Sequence, residues 1–328
     1  MRRKAGKIVT YIVVVGMVLI FLFDITAVLL CNTYEARWPV GVEPGGPGGT
    51  RVHFLNTGNS DCVLLESAGH FALLDSGWGS DNPNEKASRP GYEQAVVDYL
   101  KRAAGDAQGM VTLDFVLSTH YHYDHAGGFP AILNDPAIRV NRVYLRPLET
   151  VNQYEYELTG WAIAEIRQRI ADAAIARGFE LDEQLPTQPF QLGDMTLQLL
   201  NLDSYRNPKV RGENDNTVVV LARYGQCKAL FMGDITMALE KEIAARAGQV
   251  DLLKLGHHGY SLSTCAAFIR AVKPKLAVVT NGIGQVYPNV KWNLALSGTP
   301  LLSSARGNGL IITLSANGEM RASAFAGG

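Results

Sequence analysis

Hydrophobic positions follow three different patterns along the chain. From Ile8 to Leu30 they run almost unbroken, interrupted by Thr, Gly, Tyr and one carboxylate, Asp24; from Glu35 to Thr50 they give way to a Pro/Gly-rich stretch, EARWPVGVEPGGPGGT; from Arg51 to Phe325 they come in short blocks separated by turn residues. In this last part, Arg51–Asn56 and Cys62–Glu66 read as two strands joined by the turn Thr57–Asp61, and Phe71–Leu74 adds a third. Gly91–Ala104 carries Tyr92, Ala95, Val96, Tyr99 and Leu100 at helical spacing and leads to the apolar run Leu113–Leu117. Arg142–Leu145 predicts a strand. Leu158–Arg177 predicts an amphipathic helix whose apolar side holds Trp161, Ile163, Ile166, Ile170, Ala173 and Ala174, a stripe suited to core or lid packing. Strands are expected over Met195–Leu202, Thr217–Ala222, Lys228–Met232, Leu252–Leu255 and Leu276–Thr280, with helices over Met237–Ala247 and around Ala266–Val272. Gly309–Leu314 and Met320–Ala324 close as a hairpin around Asn317-Gly318. Strand and helix traffic of this kind indicates an α/β layered domain.

The N-terminal run is long enough to cross a bilayer, and four positive charges, Arg2, Arg3, Lys4 and Lys7, precede it. The expected organisation is a cytoplasmic tail and transmembrane anchor over residues 1–31, a linker over 32–50 and one folded domain over 51–328. The positive charges keep the tail in the cytoplasm and put the domain on the other side of the cell membrane. A cleaved signal peptide is the rival; the long core from Ile8 to Phe23 and the lack of an A-x-A-like site speak against it. Bulky Leu30 before Cys31 argues against lipoprotein cleavage. Asp24 is costly within a span unless it lies near an interface or has a partner.

With 328 residues, 47% of them hydrophobic and 19% charged, the chain can bury a sizeable core. The net charge is -1, and the part after the linker is mildly acidic. This gives no overall electrostatic footprint for nucleic acid, although it leaves a local patch open.

Three of the seven histidines fall in one stretch, THYHYDHAGG (residues 119–128), at the end of the run Leu113–Leu117. Residues two apart on an extended segment point the same way, so His120 and His122 can share one ion. A turn at Gly127 and Gly128 would bring Asp124 and His125 to a second. This donor set suits zinc, with manganese or iron also fitting, and no CxxC pair offers a closed structural zinc site instead. Asp234 and His257-His258 likewise follow apolar strands, where α/β folds collect ligands.

The ordered set HYHYDH, MGD at 232–234 and GHHG at 256–259 resembles the metallo-β-lactamase superfamily, whose fold is a four-layer αββα sandwich. FLNTGNSDCVLLES, LLDSG, NDNTVVVL, ALFMGD, LLKLGHHGYS and RGNGLIITL together are similar to the metallo-β-lactamase domain of ComEC-type competence proteins. The resemblance implies His120 and His122 on a first metal, Asp124 and His125 on a second, Asp234 bridging both and His258 completing the second, with His257 a neighbour or substrate contact. Two zinc ions are the implied cofactors. The chain departs from the pattern in two places: Asn214, Asp215 and Asn216 stand where many members place a third histidine, and Tyr287 stands before Pro288 where a histidine is usual, which would pass proton donation to Tyr287.

Such a centre implies metal-assisted hydrolysis in which metal charge makes a water nucleophilic at neutral pH and Asp124 orients it. The first expectation is a membrane-anchored hydrolase of phosphodiesters, either nucleic acid or a phosphate-containing envelope polymer or lipid. A carboxylic ester, lactone or β-lactam hydrolase is the alternative enzyme, and a non-catalytic metal-binding module is the third reading. Asp75 could tie the metal loop or hold a turn, Asp61 and Lys254 share that ambiguity, and the turn around Asn59 could line the cleft. His53 and His70 read as structural, and Cys62, Cys227 and Cys265 as small buried residues. The sequence leaves the oligomeric state open.

Overall fold

The short apolar blocks are strands buried on both faces, which is why they read as runs rather than as strict alternation. The computed structural model describes residues 2–35, 38–42, 49–84, 90–149, 152–207 and 210–325. One sheet has nine strands in the order Val40–Val42, Met320–Ala324, Gly309–Leu314, Thr50–Leu55, Val63–Ser67, His70–Leu74, Phe115–Leu117, Arg142–Tyr144 and Glu180–Asp182. A second has seven: Phe190–Leu192, Met195–Leu200, Val219–Tyr224, Cys227–Phe231, Leu252–Lys254, Leu276–Val279 and Leu301–Ser303, and a small parallel pair joins Val111–Leu113 to Ile138–Val140.

The helices are α1 (Arg2–Glu35), α2 (Glu93–Ala104), α3 (Tyr123–Ala126), α4 (Phe129–Asn134), α5 (Ile163–Ala176), α6 (Met237–Ala247), α7 (Ala266–Val272) and α8 (Pro288–Ser297). Val52, Phe54, Leu65 and Leu74 of the first sheet pack with Leu197, Val220, Phe231 and Val278 of the second in a core between the sheets. Val96 and Leu100 of α2, Phe129 of α4 and Ile166 and Ile170 of α5 cover the outer face of the first sheet. Ile243 of α6, Phe268 and Ile269 of α7 and Val290 and Leu294 of α8 cover that of the second. The result is the four-layer αββα sandwich.

Several boundaries differ from expectation. Helix α1 continues through Glu35, and Val40–Val42 pairs in parallel with Met320–Ala324, both within the range read as linker; the rest of that Pro/Gly stretch, 43–48, lies outside the described residues. The helix expected from Leu158 begins at Ile163, because Ala162 adopts a left-handed conformation (φ 54) after one π-helical turn, Tyr156–Gly160. Trp161 therefore leaves the apolar stripe and is 45% exposed. His53 is buried between Tyr99 and Glu66, and His70 pairs with Asp114 at the surface, both in structural roles.

Candidate metal centre

Strand ends from both sheets meet at one edge of the sandwich. His120 follows Phe115–Leu117, Asp234 follows Cys227–Phe231 and His258 follows Leu252–Lys254. His122 stays extended (φ -65, ψ 146) and caps α3, whose single turn carries Asp124 and His125 round to the far side of the cluster. Gly127 and Gly128 do not supply this turn through left-handed backbone, since Gly127 has φ -66 and Gly128 φ -80. They are needed for close approach: a Cβ on Gly127 would lie 2.4 Å from the Tyr123 carbonyl oxygen, and one on Gly128 would lie 2.6 Å from that of Ser76. Gly233 is the left-handed one (φ 49), and its missing Cβ leaves room for Thr217 directly before Asp234.

Among the described residues three groups could hold an ion, Asp61, Asp75 and His125 being one, and the other two share Asp234. Asp124, His125, Asp234 and His258 offer ligand atoms within 4.8 Å of one another, as do His120, His122 and Asp234. His258 is thus the member of the adjacent pair that joins the second group. His257 Nε2 instead faces the Asn214 amide at 3.3 Å and Asp234 Oδ2 at 3.8 Å.

Hydrogen bonds around the cluster set the imidazole tautomers. His125 Nδ1–H donates to Asp75 Oδ2 at 2.9 Å. Asp75 also accepts from the Thr119 amide and hydroxyl, both at 2.7 Å. With its proton committed there, Thr119 Oγ1 accepts from His120 Nδ1–H at 3.2 Å. His258 Nδ1–H donates to Thr280 Oγ1, which donates to Asp61, and the buried Lys254 ammonium donates to the other oxygen of Asp61 and to the Gly233 carbonyl. Asp75, Asp61 and Lys254 are therefore the supports of the centre. The Nε2 lone pairs of His120, His125 and His258 are left pointing inward. His122 takes the opposite tautomer: its Nε2–H faces Glu157 Oε1 at 3.3 Å, which frees Nδ1 for the cluster.

This arrangement fits a metal and is unfavourable without one. His125 Nε2 and His258 Nε2 stand 3.1 Å apart, and the buried atoms His120 Nε2 and Asp234 Oδ1 have no hydrogen-bond partner among the described residues. The electrostatics agree. Burial alone would depress His125, but Asp234, Asp61 and Asp75 outweigh it and hold the ring well above the usual imidazole range. His258, likewise opposed by burial, is pushed up to about 9 by Asp234 and Asp124. The carboxylates demand positive charge where the inward lone pairs meet, and divalent cations meet that demand without protons.

A cavity of about 250 Å³ opens onto the cluster, lined by Asn59, Trp78, Asn82, Asn84, Trp161, Asn214 and Tyr260 beside the histidines and carboxylates. Trp161 sets its edge against His122 at 4.7 Å. Tyr287 does not line this space; it caps α8 and touches Tyr260, ring centroids 5.6 Å apart. Two other tyrosines line it, Tyr123 and Tyr260, and the Tyr260 hydroxyl accepts from Asn59 Nδ2 at 2.6 Å. Sequence reasoning missed Glu157, Trp78, Trp161 as a pocket wall, and Tyr260; only the tyrosine carried a signal, through its place in GHHGY.

Residues 73–264 match the family model described as the β-lactamase superfamily domain. The chain is 24% identical to ComE operon protein 3 of Bacillus subtilis (strain 168) over 296 residues, 82% of this chain and 35% of that protein. It is 22% identical to competence protein ComA of Neisseria gonorrhoeae over 239 residues, 72% of this chain and 28% of the relative. The chain thus spans about a third of the length of these relatives. Among solved structures, the metallo-β-lactamase fold protein YhfI from Bacillus subtilis aligns with TM-score 0.50 at 12% identity, over 80% of this chain and 99% of that one.

Proposed function

The chain belongs to the metallo-β-lactamase superfamily, and from that premise we propose that it is a membrane-anchored, metal-dependent phosphodiesterase. The observation that carries this reading is the pair of donor groups that meet at Asp234: Asp124, His125, Asp234 and His258 offer ligand atoms within 4.8 Å of one another, as do His120, His122 and Asp234. Two divalent ions, zinc by donor type with manganese or iron also suited, would be held by His120, His122 and Asp234 and by Asp124, His125, Asp234 and His258. When bound they supply a nucleophilic water at neutral pH and offset charge building on the oxygen under attack.

The chain's own residues do the rest. Asp124, on the rim of the second group with its side chain 20% exposed, accepts a proton from the attacking water and orients it. Tyr260 faces the cavity with its hydroxyl oxygen already bonded to Asn59, so its own proton is available to the leaving oxygen. Trp78, Trp161 and Tyr123 wall the cavity and restrict bulk water. Helix α1 holds the domain at the membrane: Gly6–Leu29 is a span of 24 residues with mean hydropathy 2.8, about 36 Å of helix against a hydrocarbon core of about 30 Å.

Hydrolysis of bis(p-nitrophenyl) phosphate by the full chain, with zinc or manganese added, tests the reading. Turnover lost in His122→Ala and Asp234→Asn supports it. Turnover of a carboxylic ester or lactone in its place would favour the alternative enzyme, and no turnover of any of them would favour the non-catalytic module.

A further inference from the structure

The anchor helix is part of the catalytic domain's packing. Its C-terminal portion lies on α8: Phe23 meets Trp292 edge to face with centroids 4.4 Å apart, and Ala27 is fully buried. Lys291 on α8 is 2% exposed, and its ammonium has the Asp24 carboxylate at 3.5 Å. A lysine this buried needs an anionic partner. Asp24, the residue most expensive to place in a span, provides one. Towards the N-terminus the helix carries a different surface: Ile8, Ile12, Leu19, Ile20, Phe21 and Leu22 are each at least half exposed. Leu296, one turn after Trp292 on the same face of α8, is 75% exposed.

The same helix α8 leads to the pocket. The Lys291 amide donates to the Tyr287 carbonyl one turn earlier, the Tyr287 ring touches Tyr260, and Tyr260 lies 5.1 Å from His257 between ring centroids. Helix α8 and Tyr260 thus link the Asp24–Lys291 pair to the pocket wall. The pocket walls suit one phosphate carrying an uncharged or weakly charged group, since their described residues supply Asn, Trp and Tyr side chains and no Lys or Arg. A polyanion would need cations along its path.

We propose, building on the phosphodiesterase reading, that the substrate is a membrane-resident phosphodiester lipid. The C-terminal part of α1, docked on α8, holds the domain against the bilayer surface so that lipid reaches the pocket. Water oxygen bonds to phosphorus, one phosphorus–oxygen ester bond breaks, the departing oxygen takes a proton, and the products are an alcohol and a phosphomonoester.

The experiment compares the full chain reconstituted with manganese or zinc on three probes: bis(p-nitrophenyl) phosphate in solution, vesicles of phosphatidylglycerol and phosphatidylethanolamine, and a single-stranded oligonucleotide. Release of phosphorus product from the vesicles at least about tenfold faster than from the oligonucleotide is expected, because anchoring raises the effective concentration of lipid. The variant Asp24→Ala/Lys291→Met, which removes both charges of the pair together, should keep the solution rate within about twofold and lose most of the vesicle rate. Faster cleavage of the oligonucleotide, or a vesicle rate unchanged in that variant, would overturn the lipid proposal while leaving the phosphodiesterase reading intact. Failure to turn over the soluble diester would bring down both.

Discussion

Lys254 sits in the middle of the apolar block LLKL, is fully buried, and gives its ammonium to Asp61 and to the Gly233 carbonyl at 3.0 Å. It thereby fixes two things at once: the carboxylate that receives the Thr280 hydroxyl under His258 at 2.5 Å, and the backbone immediately before Asp234. Lys254→Met keeps the length and packing of the stem and removes the charge. Asp61 is then a buried carboxylate without its cation, a loss of about 3–5 kcal/mol. At about 2–4 °C per kcal/mol for a domain of this size, the midpoint of thermal unfolding should fall by roughly 6–20 °C.

The assay is calorimetry of the wild type, Lys254→Met, Asp61→Asn and the double variant, each in chelator and with metal, because ligand binding to the native state raises the midpoint by itself. In chelator the double variant should lie well above the sum of the two single losses, with a coupling of about 1–3 kcal/mol. A fall of under about 3 °C in Lys254→Met, or simple additivity, would refute the claim that this pair is a coupled support of the centre.

Three further outcomes follow from the geometry. Glu157→Gln replaces the acceptor of His122 Nε2–H with an amide that can present either N–H or oxygen, so affinity for the first metal should drop about 10–100-fold in chelator competition while the second is retained; equal loss of both metals, or no loss, would contradict the tautomer assignment. Tyr260→Phe should slow hydrolysis of an alkyl phosphodiester by about a hundredfold or more yet barely affect a nitrophenyl diester, whose leaving group needs no proton; Tyr287→Phe should leave both near wild type, and the reverse pattern would restore Tyr287 as the donor. A reporter fused after Gly328 should be active only outside the cytoplasm, as Arg2, Arg3, Lys4 and Lys7 direct; activity in the cytoplasm would reverse the orientation.

The metal-centre donors were legible because their signal is local. His120, His122, Asp124 and His125 fall within six consecutive positions after a strand, and Asp234 and His258 each follow an apolar block; the choice of His258 over His257 came from the family resemblance. Their supports were only partly legible. Asp61, Asp75 and Lys254 stood out as polar residues beside apolar runs, but their partners are far off in sequence, and only the stacked sheets put Lys254 against Asp61. Glu157 gave no signal, since it lies in a polar stretch whose π-helical turn follows from packing rather than from spacing. Helix α8 was not anticipated; Pro288 at its first turn is favourable there, as its absent N–H would have had no helical partner. Asp24 looked like a flaw in the membrane segment until Lys291, far along the chain, supplied its partner.

The central claim is a two-metal centre that hydrolyses phosphodiesters, and its most direct test is metal content measured together with turnover on one preparation of the full chain. Wild-type protein purified with zinc or manganese should carry close to two ions per chain and cleave bis(p-nitrophenyl) phosphate, while Asp234→Asn, which removes the charge shared by both groups, should hold fewer than one ion and show no turnover. One ion or none in the wild type, or an Asp234→Asn variant that keeps both its metals and its rate, would contradict the account.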